Sequence, residues 1–137
     1  MSETSDENTL VAAVDALADR FRSMPQSRLL GAVPGHPSRA AAGLALARRL
    51  AAAAQAAEAV RPDGGADGGV DGGSPHELPD AGAFAVGDQL AVVGHDLAAA
   101  LAVLPAAAAV ALPDGPATAE AVRERALRWL AETTAAV

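Results

Sequence analysis

The sequence LVAAVDALADRFRSM, residues 10–24, carries the clearest helical pattern in this chain. Its large apolar side chains recur at steps of three and four residues, the spacing that keeps them on one face of an α-helix. Those residues are Leu10, Val14, Leu17, Phe21 and Met24. Asp15 and Asp19 fall on the far side of the same helix. We therefore predict an amphipathic helix that begins between residues 5 and 8 and ends near residue 23.

Three further stretches repeat this spacing on a background that is mostly alanine. The second has Leu46, Leu50 and Val60, with Ala53 and Ala57 at the intermediate steps; the third has Leu90, Val93, Leu97, Leu101 and Leu104; the fourth has Val122, Ala126, Trp129 and Leu130. We predict helices over residues 39–60, 88–104 and 118–135, with Ser38 and Asp88 as N-caps of the first two. The fold class that follows is all-α: a small antiparallel bundle of about four helices in a single domain, residues 1–137.

Glycine and proline separate these helices. Residues 62–82 contain an Asp-Gly-Gly unit repeated every four residues, which predicts a flexible linker inside the domain, because such a segment buries too little to offset its ordering entropy. Residues 26–30 have room for at most one helical turn, and residues 105–113 are expected to be helical for a turn or two before Gly115 and Pro116. Gly43 lies inside the second helix, which indicates that another backbone comes close there.

The segment over residues 83–93 has two interpretations. A helix from Asp88 is favoured, because apolar residues continue at helical spacing on two sides of it. The alternative is a strand pair, residues 84–86 with residues 90–93, since the intervening Val-Gly-Asp-Gln sequence also resembles a turn.

Composition limits the classes of function. The chain has 137 residues, a formal net charge of −7 and no cysteine. An acidic surface repels phosphate backbones and anionic lipid, so we expect no nucleic-acid partner and no membrane partner. Residues 1–8 are acidic and polar rather than basic and apolar, and the longest uncharged run is too short to span a bilayer, so a cytoplasmic protein is expected.

Alanine supplies most of the hydrophobic fraction of 51%. Each alanine contributes a single methyl, worth under about 1 kcal/mol when buried. The predicted core is therefore thin. Close approach of helices through small residues would compensate for this, and so would burial against a second subunit.

No pattern in the sequence identifies an enzyme. The chain has neither a nucleophile elbow nor a phosphate-binding loop, and without lysine or cysteine it lacks the residues of several common sites. We predict no catalytic residue, no cofactor and no metal. One alternative is a small enzyme or metal-binding protein that uses His95 with Asp88 or Asp96. His95 and Asp88 share a helix face but lie about 10 Å apart along it, too far for a hydrogen bond.

A second alternative is a DNA-associated regulator that uses the basic group Arg123, Arg125 and Arg128. Glutamates are interleaved with these arginines, which favours a solvated helix face instead. Trp129 is either a core residue or the anchor of a partner surface, since tryptophan is enriched at interaction hot spots. Val92 and Val103 belong to a second apolar stripe on the third predicted helix. We therefore favour a non-catalytic interaction protein, binding a protein partner or a second copy of itself, with Trp129, Val92 and Val103 as the candidate surface.

Overall fold

The computed structural model describes residues 3–60 and 78–137. Over these residues the chain forms five α-helices, one 3-10 turn at Ala83–Ala85 and one two-stranded sheet. The helices are α1 (Glu3–Arg22), α2 (Gln26–Leu29), α3 (Arg39–Glu58), α4 (Val86–Ala102) and α5 (Ala119–Ala136), and the strands are β1 (Ala109–Leu112) and β2 (Gly115–Thr118). The mostly helical class predicted from the sequence is confirmed. The small sheet was not predicted.

Two helices begin at side-chain caps. The Ser38 hydroxyl oxygen accepts a hydrogen bond of 3.0 Å from the Ala41 amide at the start of α3, which confirms the predicted cap. At the start of α5 the Thr118 hydroxyl oxygen accepts one of 3.1 Å from the Ala121 amide. Helix α1 begins at Glu3, before the predicted range, and α3 ends at Glu58, two residues before its predicted end.

The start of α4 corrects two predictions. Asp88 is not the N-cap, because α4 begins at Val86 and its cap residue is Ala85, which makes no side-chain cap bond. Asp88 instead occupies the first turn, where an acidic side chain interacts favourably with the helix dipole. The alternative of a strand pair over residues 84–86 and 90–93 is also wrong, because the 3-10 turn leads directly into a continuous helix.

The segment after α4 corrects a third prediction. Residues 109–112 are not helical but form β1, which pairs antiparallel with β2 from Ala109 opposite Thr118 to Leu112 opposite Gly115. Alternate residues of β1 point inward, so that Val110 and Leu112 are buried. Gly115, which follows the connecting Pro113-Asp114 pair, has φ of 127°, a conformation that glycine adopts without strain.

Helix α4 packs against both α1 and α3. Glycines permit the close approach to α1: Gly94 lies on the Val14 side chain, and a Cβ added to Gly87 would lie 2.8 Å from the Ala18 carbonyl oxygen. In α3, Gly43 faces the side chains of Phe21 and Val86. The prediction of a close neighbour at Gly43 is therefore right in place, but side chains rather than a backbone fill the space.

The core lies between these helices and contains the predicted apolar stripes. All five large residues of the α1 stripe are buried. Most of the other predicted positions are buried too, whereas Val60, Leu104 and Trp129 are only partly so. The alanines of α3 make a large contribution to this core; the buried ones are Ala40, Ala42, Ala47, Ala53, Ala54 and Ala57.

Most of the predicted linker, residues 62–77, lies outside the described residues. Residues 78–82 contain no helix or strand. Two side chains hold this segment: Arg48 donates to the Leu78 carbonyl at 3.0 Å, and Gln89 donates to the Pro79 carbonyl at 2.8 Å. Among the described helices, none is both long enough and apolar enough to cross a membrane.

Candidate functional site

Trp129 lies in the middle of α5 and is only partly buried. Its neighbours on the same helix, Val122, Ala126 and Leu130, are fully inside the core. The indole therefore packs against the core with one part and remains open to solvent with another. Its packing agrees with the interpretation of Trp129 as a core residue, whereas its interpretation as the anchor of a partner surface stays a prediction.

Arg49 of α3 covers part of the exposed indole. Its guanidinium carbon lies 5.6 Å from the centre of the Trp129 ring, within the range of a cation–π interaction. Such a contact is worth about 0.5–1 kcal/mol at an exposed site. It favours side-chain conformations in which the Arg49 guanidinium lies near the ring. Trp129 and Arg49 both line two cavities. We use the name Trp129 cleft for these two residues together with the two cavities.

Two cavities open on either side of this Trp–Arg pair. The first has a volume of about 270 Å³, and its far wall is the hairpin connection at Leu112, Pro113 and Asp114. The second has a volume of about 210 Å³, and its lining includes Pro34, His36, Glu132 and Thr133. Both far exceed the roughly 15 Å³ that a single water requires. Trp129 and Arg49 line both, so they form the ridge between two recesses.

The charges around the Trp129 cleft are partly neutralised within the chain. Arg125 Nη1 lies 3.5 Å from Asp114 Oδ2, so the carboxylate at the hairpin end faces a guanidinium. Glu132 is exposed at the other end. Arg49 has no hydrogen bond or ion pair to any residue in the described ranges. The first cavity is therefore lined by one compensated acidic group and one uncompensated basic group.

Trp129 belongs to α5, whereas the other two candidate surface residues belong to α4 and its C-cap. Val92 lies on α4 and Val103 is the C-cap residue of this helix; they are 61% and 81% exposed. Neither valine lines a cavity that Trp129 lines. Trp129 therefore shares neither of these two cavities with the valines, and a common surface of the three residues stays a prediction.

His95 has a partner that the sequence did not suggest. Its Nε2 lies 2.7 Å from Asp15 Oδ1 on α1, and both side chains are about half exposed. Asp88 accepts from Arg22 instead, whose Nη2 lies 2.8 Å from Asp88 Oδ1. The pKa of Arg22 is raised above its ordinary value, and the hydrogen bond to Asp88 is the largest cause.

These pairings change the interpretation of His95. Asp15 and Asp88 each join α4 to α1, and Asp96 is exposed on α4. Among the described residues, no group of three histidines and carboxylates is placed to hold a metal ion. The His95–Asp15 pair is a contact between two helices at the protein surface.

Sequence reasoning missed Arg49, the central residue of the Trp129 cleft. It lies 80 positions from Trp129, and nothing in its neighbourhood distinguishes it from the other arginines. Its role follows only from the packing of α3 on α5. The basic group of Arg123, Arg125 and Arg128 was considered for DNA binding, and one of its members, Arg125, pairs with Asp114.

Comparisons of this chain with protein-family models, with curated proteins and with solved structures found no match.

Proposed function

We propose that this protein is a non-catalytic protein-interaction module whose binding surface is the Trp129 cleft. One observation carries the proposal: the only tryptophan of the chain is partly exposed, lies within cation–π distance of Arg49, and lines two cavities. Tryptophan and arginine are the residues most enriched among those that dominate binding energy, especially where pockets surround them.

The architecture proposed for this module is an antiparallel bundle of α1, α3, α4 and α5. The order of contacts between α1 and α4 supports it. Gly87, near the start of α4, lies against Ala18 and Arg22, whereas Gly94, one heptad later, lies against Val14. Residue numbers that increase along α4 thus meet residue numbers that decrease along α1, as expected for two antiparallel helices. A cytoplasmic location stays a prediction from the sequence.

We favour a separate protein partner over a second copy of this chain. The argument for oligomerisation from sequence was that thin alanine-rich faces need a second subunit to cover them. In α3 those alanines are already buried within one chain, including Ala47 and Ala53. The core is therefore covered without a second subunit, and the Trp129 cleft remains available to a different protein.

The test compares two surfaces on the same folded protein. Arg49→Glu reverses the charge at the Trp129 cleft, and the double variant Val92→Glu/Val103→Glu changes the exposed face of α4 as a matched control. Proteins that bind to the immobilised wild type are identified and produced in pure form. Each is then titrated by calorimetry against the wild type and the two variants. Circular dichroism and thermal unfolding establish that each variant is folded.

We expect a purified partner whose affinity falls at least about tenfold with Arg49→Glu, which corresponds to 1.4 kcal/mol, and stays within about twofold for the α4 control. A partner that depends on the α4 face and not on Arg49 would contradict the proposal. So would a concentration-dependent dimer that Arg49→Glu dissociates, because the occupant would then be a second copy of this chain. The absence of any retained partner would also count against it.

A further inference from the structure

Arg49 differs from the other α3 arginines near it in having unused donors. Arg39 and Arg48 each direct their guanidinium groups to backbone carbonyl oxygens. The Arg49 guanidinium carbon instead lies 5.6 Å from the centre of the Trp129 ring, and no acceptor in residues 8–60 or 78–137 takes its N–H groups. A guanidinium carries five donors in a planar fork that matches a carboxylate. Arg49 is thus an exposed guanidinium whose donors can meet a carboxylate.

The surroundings of Arg49 determine what kind of anion fits. The first cavity is lined by Ala52, Ala53, Leu112 and Pro113, whose side chains are apolar. Its one acidic group, Asp114, is compensated by Arg125. A ligand that suits this recess therefore combines a carboxylate, which meets Arg49, with an apolar group, which fills the space beside it.

The net charge of −7 does not oppose this assignment at short range. At physiological ionic strength, charges farther apart than about 8 Å are largely screened from one another. A carboxylate at Arg49 would be in direct contact with a guanidinium, where bidentate hydrogen bonds are among the strongest in proteins. The local group therefore outweighs the distant ones.

We infer that the partner engaged by the Trp129 cleft presents an aspartate or glutamate side chain next to aliphatic side chains. The carboxylate accepts two hydrogen bonds from Arg49, and the aliphatic groups occupy the first cavity, beside Trp129. This inference rests on the proposed interaction function and adds the chemistry of the recognised segment.

Trp129 is a built-in reporter for the test, because the chain has one tryptophan and no tyrosine. The probes are blocked pentapeptides of sequence Ala-Leu-Glu-Leu-Ala, together with peptides in which glutamine or lysine replaces the glutamate. Each is titrated against the wild type, Arg49→Gln and Arg49→Lys while Trp129 emission is recorded. Circular dichroism establishes that the variants retain their helices.

We expect the glutamate peptide to change Trp129 emission saturably, with an affinity at least about fivefold above that of the glutamine or lysine peptide. Arg49→Gln should abolish this preference. Arg49→Lys should retain only part of it, because an ammonium does not form the bidentate pair.

Three results would overturn the inference: equal binding of all peptides, preference for lysine, or no effect of any peptide on Trp129. These results leave the proposed function standing if a purified partner still depends on Arg49. Conversely, glutamate preference without any Arg49-dependent partner would support a carboxylate site and reject the interaction function.

Discussion

Gly94 of α4 lies directly against the Val14 side chain of α1, so that a methyl group on Gly94 would overlap both Val14 methyls. Valine branches next to its backbone and cannot move aside as a long side chain does. The approach of α1 to α4 therefore requires glycine at this position. Since α4 also packs on α3, this contact influences how α1 and α3 are placed on either side of α4.

Replacing Gly94 with alanine tests this packing. In an exposed helix the change raises stability by about 1 kcal/mol. Here we expect Gly94→Ala to lower the free energy of unfolding by about 2 kcal/mol, because the new methyl forces the helices apart. Urea unfolding followed by circular dichroism measures the difference.

A second variant separates overpacking from other effects of Gly94→Ala. Val14→Ala removes the methyls that the new side chain would meet. The loss in free energy of unfolding of the double variant should be about 1 kcal/mol smaller than the sum of the losses of the two single variants. Simple additivity would mean that the two residues do not compete for the same space.

The end of α5 is held by arginines from the preceding helices. Arg39 donates from Nε to the Val137 carbonyl at 3.2 Å and from Nη1 to the Arg28 carbonyl at 3.2 Å. We expect Arg39→Ala to lower the free energy of unfolding by about 1–2 kcal/mol, because two carbonyls lose a charged donor. Arg39→Lys should recover only part of this, since one ammonium replaces a fork of donors.

Arg20, an exposed arginine on α1, provides the control for Arg39. Arg20→Ala should change stability by less than about 0.5 kcal/mol. Thermal and urea unfolding of the three variants check the prediction. Equal losses for Arg20→Ala and Arg39→Ala would show that total charge, rather than the bonds at the end of α5, determines the effect.

The His95–Asp15 pair provides a prediction of a small effect. Both side chains are about half exposed, and ion pairs in such positions contribute little. In a double-mutant cycle with His95→Gln and Asp15→Asn, we expect a coupling energy below about 1 kcal/mol that decreases with added salt. A coupling above about 2 kcal/mol, unaffected by salt, would assign the pair a larger role than a surface contact.

The helices were predictable because their apolar residues lie at helical spacing. The stripe from Leu10 to Met24 defined α1, and Ser38 marked the start of α3. The hairpin was missed because alanine and proline are poor strand formers, although a signal was present. Val110 and Leu112 alternate with alanines before Pro113-Asp114-Gly115, a sequence typical of turns.

The Trp129 cleft was predictable only in part. Tryptophan is conspicuous in a chain with so few aromatic residues, so Trp129 could be chosen as a candidate. Arg49 could not, because its importance depends on which helix packs beside α5. The same limit applies to His95: the residue was noticed, but Asp15 is its partner through tertiary packing alone.

The most direct test of the account is the quenching of Trp129 emission by iodide, caesium and neutral acrylamide, each measured relative to free N-acetyltryptophanamide. We predict that acrylamide reaches the indole, and that iodide quenches at least about twofold more effectively than caesium, because the Arg49 guanidinium over the ring attracts anions. Arg49→Gln should remove the difference. Emission that resists all three quenchers, or that caesium quenches better than iodide, would contradict the proposal that the Trp129 indole is accessible beside an uncompensated Arg49 guanidinium.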